Sequence, residues 1–243
     1  PEYEHDACGV GIVADVLGRR SHRIIEMGLE VLDNLAHRGA AGSDPKTGDG
    51  AGILIQTPHA FFSGVIADVA ITLPEPGDYG VGMLFLPRDP GERAVCERII
   101  EEVVQAEGQR LLGWRDVPVD DGEIGDGARA SQPVIRQLFV GRGLDTQDQH
   151  AFERKLYVIR RQTERAVEES GLGELGTFYI SSFSSRTVVY KGLLIGTQLR
   201  GFYPDLNDPM FDSGFAMIHS RFSTNTMGSW RLAHPYRYLA HNG

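Results

Sequence analysis

The sequence is organised around residues 7–13, Ala7-Cys8-Gly9-Val10-Gly11-Ile12-Val13. After Cys8 the residues alternate between small or polar and apolar types, a pattern that predicts a β-strand. A cysteine at the head of a strand, with glycine beside it, is open to approach by another molecule. The preceding residues 1–7 are few, polar and acidic, so they can add little to a hydrophobic core.

Two interpretations of Cys8 follow from this position. In the first, cleavage of the Ala7–Cys8 bond makes Cys8 the first residue of the mature chain, and its new α-amino group serves as the base for the thiol. Free α-amines have pKa values of about 7.7–8.0, so a useful fraction is neutral near pH 7. In the second, Cys8 is an ordinary buried cysteine, because free cysteine behaves as a small hydrophobe. Position alone favours the second interpretation, and the motifs further along the chain favour the first.

The composition limits the classes of protein to consider. A chain of 243 residues with 41% hydrophobic and 9% aromatic residues can build one large domain with a real core, or two small ones. The net charge of −9 argues against nucleic-acid binding, and no apolar run is long enough to span a membrane. With Cys8 and Cys96 as the two cysteines, we expect neither a disulfide framework nor a structural zinc site, and a reducing, cytoplasmic setting fits.

Hydrophobic periodicity predicts an α+β fold. Three helices are expected, at residues 21–36 with Ser21 as the N-cap, from Asp89 onward with Cys96 packed inside, and at 148–170. Besides the strand after Cys8, strands are expected at 53–56, 79–86, 134–140, 178–184, 187–194, 214–220 and 238–241. The strands are grouped rather than alternating with helices, which favours antiparallel sheets covered by helices.

Two connecting stretches have distinctive compositions. Residues 39–52 are rich in glycine and small side chains, which predicts a tight active-site turn whose backbone comes close to other groups. The stretch lacks the Gly-Lys-Ser/Thr ending of a phosphate-binding loop, so a phosphate site is disfavoured. Residues 116–131 are acidic and glycine-rich, and we expect a surface loop without chemistry of its own.

Several motifs in a fixed order resemble one family. They are Ala7-Cys8-Gly9-Val10-Gly11, Leu35-Ala36-His37-Arg38-Gly39-Ala40, Asp49-Gly50-Ala51-Gly52-Ile53, His219-Ser220-Arg221-Phe222-Ser223-Thr224-Asn225 and the final run Ala233–Gly243. Together they resemble the glutaminase domain of the large (α) subunit of glutamate synthase, a class II glutamine amidotransferase. The resemblance implies an N-terminal-nucleophile hydrolase fold, an αββα sandwich of two antiparallel sheets between helix layers. It also implies a propeptide or leader at residues 1–7 and a catalytic domain at residues 8–243.

The resemblance assigns the main steps of glutamine hydrolysis to specific residues. Cys8 would attack the side-chain carboxamide of L-glutamine and form a γ-glutamyl thioester, with its own α-amine passing the proton to the departing ammonia. The side-chain amide of Asn242 and the backbone N–H of Gly243 would stabilise the oxyanion. Arg221 would bind the substrate α-carboxylate through a bidentate pair that lysine cannot copy.

Three further residues are assigned more generally. Arg38 would lie close to the nucleophile, and Thr224 and His219 would line the substrate pocket. Simpler interpretations stay open: Arg221 could form a surface ion pair, Arg38 could be a charge at a helix C-terminus, and the Asn-Gly pair that contains Asn242 could be a tight turn.

The sequence departs from the family pattern at its end. The family uses an aspartate after the Asn-Gly pair to bind the substrate α-ammonium group, and this sequence stops at Gly243. We therefore expect the domain to be C-terminally incomplete. The terminal carboxylate would also lie beside the oxyanion site and oppose the developing negative charge.

Three functions are compatible with these residues. In the first, ammonia made here aminates 2-oxoglutarate in the synthase domains of the full-length protein, which would carry FMN and an iron–sulfur cluster and use a small electron-donating subunit. No cofactor or metal is expected in this chain. In the second, the acceptor differs, as in the synthesis of glucosamine-phosphate, phosphoribosylamine or asparagine. In the third, the chain is a non-catalytic regulatory or binding domain that keeps the fold but does not hydrolyse glutamine.

Overall fold

The structure is a computed structural model that describes residues 8–36, 44–67, 71–172, 178–222 and 228–236. The strands within them are β1 (Gly9–Ala14), β2 (Ala51–Gln56), β3 (Tyr79–Leu86), β4 (Arg110–Asp116), β5 (Val134–Gly141), β6 (Tyr179–Ser184), β7 (Thr187–Gly192) and β8 (Phe215–Ser220). The α-helices are α1 (His22–Asn34), α2 (His59–Val65), α3 (Pro90–Ala106), α4 (Asp126–Ala130), α5 (Gln149–Glu169) and α6 (Leu199–Phe202). The expected α+β class is confirmed.

The chain separates into two compact units, each with one four-stranded sheet. The first unit takes its described residues from Pro1–Phe61, Pro118–Gln132 and Val189–Gly243, and the second from Phe62–Val117 and Pro133–Val188. The first sheet has the strand order β1-β8-β2-β7, and the second has the order β4-β5-β3-β6. Among the described residues, no helix is both long and apolar enough to cross a membrane.

Strand β8 occupies a central position in the first sheet. It pairs antiparallel with β1 on one side and with β2 on the other. In this register Ser220 lies opposite both Gly9 and Ala51. The C-terminal end of β8 therefore meets the starts of β1 and β2, and residues next to these three ends come together at one edge of the sheet.

Helix α1 packs on β8 because its buried face contains a glycine. The buried residues of this face are Ile24, Ile25, Gly28, Leu29 and Leu32. A Cβ placed on Gly28 would lie 2.9 Å from the Cβ of Ala216, so the missing side chain lets the helix approach the sheet closely. Ser21 precedes the helix as predicted, but its side chain makes no capping hydrogen bond. Its backbone is instead paired with Ser213 in a short antiparallel bridge.

The core of the second unit lies between its sheet and helices α3 and α5. Every residue of β3 is buried. The predicted inward residues of α5 are buried: Phe152, Leu156, Ile159 and Val167. Cys96 lies in the same core cluster and is fully buried, which confirms its predicted packing role.

Four of these strands and α-helices were absent from the sequence-based prediction. Strand β4 contains Gly113 at φ 148° and a register shift between Leu111 and Gly113, and such a bulge breaks the alternation that reveals a strand. Helices α2, α4 and α6 span only seven, five and four residues, too few to show a helical period. The expectation of a plain surface loop at 116–131 was wrong, because α4 lies there and Ala128 is fully buried.

Aspartates cap two of the long helices, as predicted for Asp89. The Oδ1 atom of Asp89 accepts a hydrogen bond from the backbone N–H of Glu92 at 2.9 Å. Asp148 accepts one from the N–H of Ala151 at 2.7 Å. The backbone hydrogen bond from Ala151 lowers the pKa of Asp148, because it stabilises the ionised carboxylate. Both helices therefore begin where the sequence predicts.

Replacing the cap of α3 tests this account of helix initiation. Asp89→Ala removes the acceptor for the Glu92 N–H, and we expect the free energy of unfolding to fall by about 1 kcal/mol. Asp89→Asn keeps a capping oxygen and is the matched control, for which we expect a change well below that of the alanine variant. Urea unfolding of both variants measures the difference, and equal losses would contradict capping by the side chain.

Candidate active site

Cys8 lies at the edge of the first sheet where β1 and β2 begin and β8 ends. Its side chain is half-buried. The backbone N–H of Phe222 donates to Sγ at 3.4 Å, and the thiol lies 3.5 Å from the carbonyl oxygen of the same residue. The thiol is thus held against the backbone that continues from β8, rather than packed inside the apolar core.

Arg221, which precedes Phe222 in the chain, is held by the loop that leads into β2. Its backbone N–H donates to the carbonyl oxygen of Gly50 at 2.8 Å. Its guanidinium donates from Nη1 to the carbonyl oxygen of Asp49 at 3.2 Å. The side chain is half-buried, so the edge of the sheet presents a thiol and a guanidinium on neighbouring chain segments.

The glycines of this loop allow the close approach that the sequence predicted. Gly50 has φ 134°, and a Cβ placed on it would lie 2.8 Å from the Cβ of Ala233. A Cβ on Gly52 would overlap the carbonyl oxygen of His234 and lie 2.6 Å from the Cβ of Lys191. The loop and residues 228–236 therefore pack backbone against backbone, and a side chain at either glycine would separate them.

His219 occupies a stack of rings. It is buried, with 1% of its surface exposed, and its ring is stacked on that of His234 at a centroid distance of 4.5 Å. The His234 ring lies 4.1 Å from the ring of Tyr236. The stack joins the end of β8 to residues 228–236.

Lys191 is a component of the site region that the sequence reasoning missed. Its side chain is fully buried, and Nζ donates to the carbonyl oxygens of Arg231 at 3.1 Å and Ala233 at 2.6 Å. Nζ also lies 4.3 Å from the ring centroid of Tyr236. The available signal was a single lysine in the otherwise apolar run of the predicted strand at 187–194.

Comparison with known proteins gives the family. Residues 8–243 match the family described as glutamine amidotransferases class-II. This chain belongs to that family. It is 51% identical over its full length to the glutamate synthase [NADPH] large chain of Bacillus subtilis (strain 168), of which it covers 16%. It is 43% identical over its full length to the corresponding large chain of Azospirillum brasilense, again covering 16% of that protein.

This class II amidotransferase is also similar in sequence to a plant protein. Over 99% of its length the chain is 42% identical to the chloroplastic ferredoxin-dependent glutamate synthase 2 of Arabidopsis thaliana, of which it covers 14%. The chain therefore corresponds to only a small part of the relatives that it matches. Membership of the family agrees with the N-terminal-nucleophile hydrolase class expected from the motifs, and the two antiparallel sheets fit it.

The structure describes three of the seven predicted site residues in this class II domain. It brings Cys8 and Arg221 to the same edge of the sheet, through Phe222, Gly50 and Asp49. It places His219 in the ring stack next to that edge. The other four lie outside the described residues: Arg38, Thr224, Asn242 and Gly243. The expected strand at 238–241 lies outside them as well.

The two cysteines differ in their surroundings. Cys96 is fully buried, and burial together with the nearby Glu92 and Glu97 raises the pKa of its thiol to about 11. Its thiolate is the reactive form, and at pH 8 that form is only about one part in a thousand. Cys8 is half-buried at a strand end.

Alkylation with iodoacetamide tests this difference. We expect the native protein at pH 8 to be modified at Cys8 and not at Cys96, because Cys96 is both enclosed and protonated. Peptide mass spectrometry locates the label, and the same protein unfolded in urea is the control in which both thiols react. Modification of Cys96 at a similar rate in the native protein would contradict the structure.

The close packing at Gly52 can be tested by adding one methyl group. Gly52→Ala would force apart His234 and Lys191, and we expect a loss of about 2 kcal/mol in the free energy of unfolding. Gly64→Ala is the matched control: a Cβ there meets nothing within 4 Å, and Gly64 lies in helix α2. We expect the control to gain about 0.5–1 kcal/mol. Urea unfolding measures the free energy of unfolding of both variants. A Gly52→Ala protein as stable as the parent would disprove the close packing of Gly52 against His234 and Lys191.

Proposed function

We propose that this chain, as a domain of the full-length protein, hydrolyses L-glutamine to L-glutamate and ammonia, and that the ammonia is used there to form glutamate from 2-oxoglutarate. The observation that carries this proposal is the position of the Cys8 thiol, half-buried at the start of β1 and in contact with the backbone of Phe222, the residue after Arg221. Family membership supports a glutamine-dependent reaction. The relatives named above support the acceptor, because each of them is named as a glutamate synthase.

Cys8 is the proposed nucleophile. Its sulfur attacks the carbon of the side-chain carboxamide, and the thiol proton passes to the α-amine of Cys8 and from there to the departing nitrogen. Ammonia leaves, a γ-glutamyl thioester remains on Sγ, and water then releases glutamate and restores the thiol. This mechanism requires removal of residues 1–7, and the family match that begins at residue 8 supports that boundary.

Arg221 is the proposed partner of the substrate α-carboxylate. A guanidinium offers five N–H donors in a plane, which suits a bidentate pair with a carboxylate. The hydrogen bonds to Asp49 and Gly50 hold the arginine in place, so little rotational freedom is left to lose when substrate binds. A carboxylate at Arg221 would orient the substrate with its carboxamide toward Cys8.

The remaining roles concern residues of the same motifs. Asn242 and Gly243 are proposed to donate to the oxyanion, where loss of one donor costs about 10²–10³ in rate. Arg38 is proposed to orient groups near the nucleophile, and Thr224 and His219 to line the pocket. The burial of His219 in a ring stack supports a shaping role for its side chain.

The activity of the whole protein is part of the proposal. FMN and the iron–sulfur cluster implied by the resemblance are assigned to the rest of the full-length chain, because four thiolates usually hold such a cluster and this sequence has two cysteines. The synthase domains and an electron-donating partner are assigned there as well. A cytoplasmic location is proposed from the low cysteine content.

Inactivation by 6-diazo-5-oxo-L-norleucine, a glutamine analogue with an electrophilic carbon, tests the proposed function. We expect the analogue to label Cys8 and to abolish glutaminase activity, and an excess of L-glutamine to protect the thiol. Cys8→Ala should lose at least 10³-fold in kcat, since the nucleophile is removed. Cys96→Ala is the matched control and should keep its activity.

Other results would point to other functions. Glutamine turnover by Cys8→Ala would contradict the thioester mechanism. Labelling of Cys8 without turnover would favour a binding domain. Turnover with a different acceptor in the full-length protein would favour another class II amidotransferase. Intact-mass analysis of the active protein tests the base, because retention of residues 1–7 at full activity would rule out the α-amine.

A further inference from the structure

Residues 44–50, which we call the support loop, directly precede β2 and bind the arginine of the candidate site. The carbonyl oxygen of Asp49 accepts a hydrogen bond from Nη1 of Arg221 at 3.2 Å, and the carbonyl oxygen of Gly50 accepts one from the Arg221 backbone N–H at 2.8 Å. A guanidinium forms a bidentate pair with a carboxylate only when its plane has the correct orientation. The contacts that hold the support loop therefore affect what Arg221 can bind.

The hydroxyl of Thr47 joins the support loop to helix α4. It donates to Oδ2 of Asp44 at 2.7 Å within the loop, and it accepts a hydrogen bond from the backbone N–H of Ala128 in α4 at 3.2 Å. Ala128 is fully buried, and its carbonyl oxygen accepts a hydrogen bond from the indole N–H of Trp230 at 3.1 Å. One hydroxyl group thus links the loop that binds Arg221 to a helix that is itself held by other contacts.

Asp44 gives the Thr47 hydroxyl its direction. The Oδ1 atom of Asp44 accepts a hydrogen bond from the backbone N–H of Lys46 at 3.0 Å, and its carbonyl oxygen accepts one from the backbone N–H of Thr47 at 3.0 Å. The hydrogen bond from the Thr47 hydroxyl, followed by the one from Lys46, lowers the pKa of Asp44, so the carboxylate remains an acceptor at neutral pH. The hydroxyl proton therefore points to Asp44, which leaves an oxygen lone pair for the N–H of Ala128.

Backbone contacts also hold the support loop between other segments. The carbonyl oxygen of Lys46 accepts hydrogen bonds from the backbone N–H of Gly125 and from Nε2 of Gln198, both at 3.0 Å. A Cβ placed on Gly48 would lie 2.5 Å from the backbone nitrogen of Ile195. Because these contacts do not involve the hydroxyl, its removal should shift the loop without unfolding it.

We infer that Thr47 is a positioning residue for Arg221, an inference that rests on the proposed function. Thr47 lies two residues before Asp49, whose carbonyl oxygen binds the guanidinium. The hydroxyl holds the support loop against α4, and it thereby sets the place of that carbonyl and of the guanidinium. Thr47 acts through the loop and does not touch the substrate. Helix α4 then contributes to substrate binding in the same indirect way.

The kinetic consequence is a rise in KM for glutamine at nearly constant kcat. The α-carboxylate takes no part in the bond changes, so its pair with Arg221 stabilises the bound substrate and the transition state equally. A loss of such uniform binding raises KM and leaves kcat unchanged. The thiol of Cys8 contacts the backbone of Phe222, so its reactivity toward a reagent without an α-carboxylate should be unaffected.

The test compares Thr47→Val with Thr47→Ser in the full-length protein. Valine has nearly the shape of threonine and lacks the hydroxyl, whereas serine keeps it. We expect Thr47→Val to raise KM for glutamine about 5- to 20-fold with kcat within about 2-fold of the parent. Thr47→Ser should stay within about 2-fold of the parent in both constants, because the hydroxyl restores both hydrogen bonds.

Thr146→Val is the matched control. It makes the same chemical change in the second unit, where the Thr146 hydroxyl accepts a hydrogen bond from Nε2 of Gln109 at 3.0 Å. We expect this variant to match the parent in KM and kcat, since Thr146 is not part of the support loop.

Two reagents that react with Cys8 separate the positioning of Arg221 from general damage. The glutamine analogue 6-diazo-5-oxo-L-norleucine carries an α-carboxylate, and iodoacetamide does not. In Thr47→Val the rate constant for inactivation by the analogue should fall about 5- to 20-fold, in parallel with kcat/KM, while alkylation by iodoacetamide stays within about 2-fold. Parallel losses with both reagents would indicate a general structural role and would overturn the inference. An unchanged KM, or a loss confined to kcat, would overturn it too.

A double variant tests whether Thr47 acts through Arg221. Arg221→Lys keeps the positive charge but lacks Nη1 and the planar fork, so it should raise KM by itself. Once the guanidinium is gone, adding Thr47→Val should raise KM by no more than about 2-fold further, because residues that act on one contact are not additive. A further rise as large as that of Thr47→Val alone would contradict the inference.

A second variant decides if Thr47→Val does not fold. Asp44→Ala removes the acceptor of the Thr47 hydroxyl and of the Lys46 N–H but leaves the hydroxyl itself. We expect a rise of about 3- to 10-fold in KM at constant kcat, and an unchanged KM would overturn the inference. Failure of the proposed function has a different signature, since the parent enzyme itself would then neither hydrolyse glutamine nor react with the glutamine analogue at Cys8.

Discussion

Strand β8 lies between β1 and β2 and runs antiparallel to both, so the end of one strand has to meet the starts of two others. This pairing brings together residues that are more than two hundred positions apart, as in the contact between Cys8 and Phe222. In the observed register Ser220 lies opposite Gly9 and Ala51, and a slip of one residue would shift the end of β8 relative to the starts of β1 and β2. The positions of Cys8 and Arg221 therefore depend on the register of this sheet.

Glycine and lysine have complementary effects on the chain around this edge. Gly50 and Gly52 let the backbone of residues 228–236 come into contact with the sheet, and Nζ of Lys191 donates hydrogen bonds to two carbonyl oxygens of that backbone. These two hydrogen bonds constrain the direction of the carbonyl groups of Arg231 and Ala233, which a contact between apolar groups would not do.

The sequence allowed the strand that follows Cys8, the capped start of α3 at Asp89 and the burial of Cys96 to be predicted, because each depends on local pattern. Arg221 could be placed after an apolar strand for the same reason. The partners of Lys191 and the ring stack of His219 and His234 could not be predicted, since they depend on contacts between distant segments. Strand β4 was not predicted, because its bulge at Gly113 breaks the alternation of apolar and polar residues.

The central claim is that the thiol of Cys8 and the guanidinium of Arg221 act on one bound glutamine. The most direct measurement is a crystal structure of the enzyme after reaction with 6-diazo-5-oxo-L-norleucine. The account predicts a covalent bond from Sγ of Cys8 to the analogue, with the α-carboxylate within hydrogen-bond distance of the Arg221 guanidinium. An analogue attached to Cys8 whose carboxylate is bound by other groups, with Arg221 turned away, would contradict it.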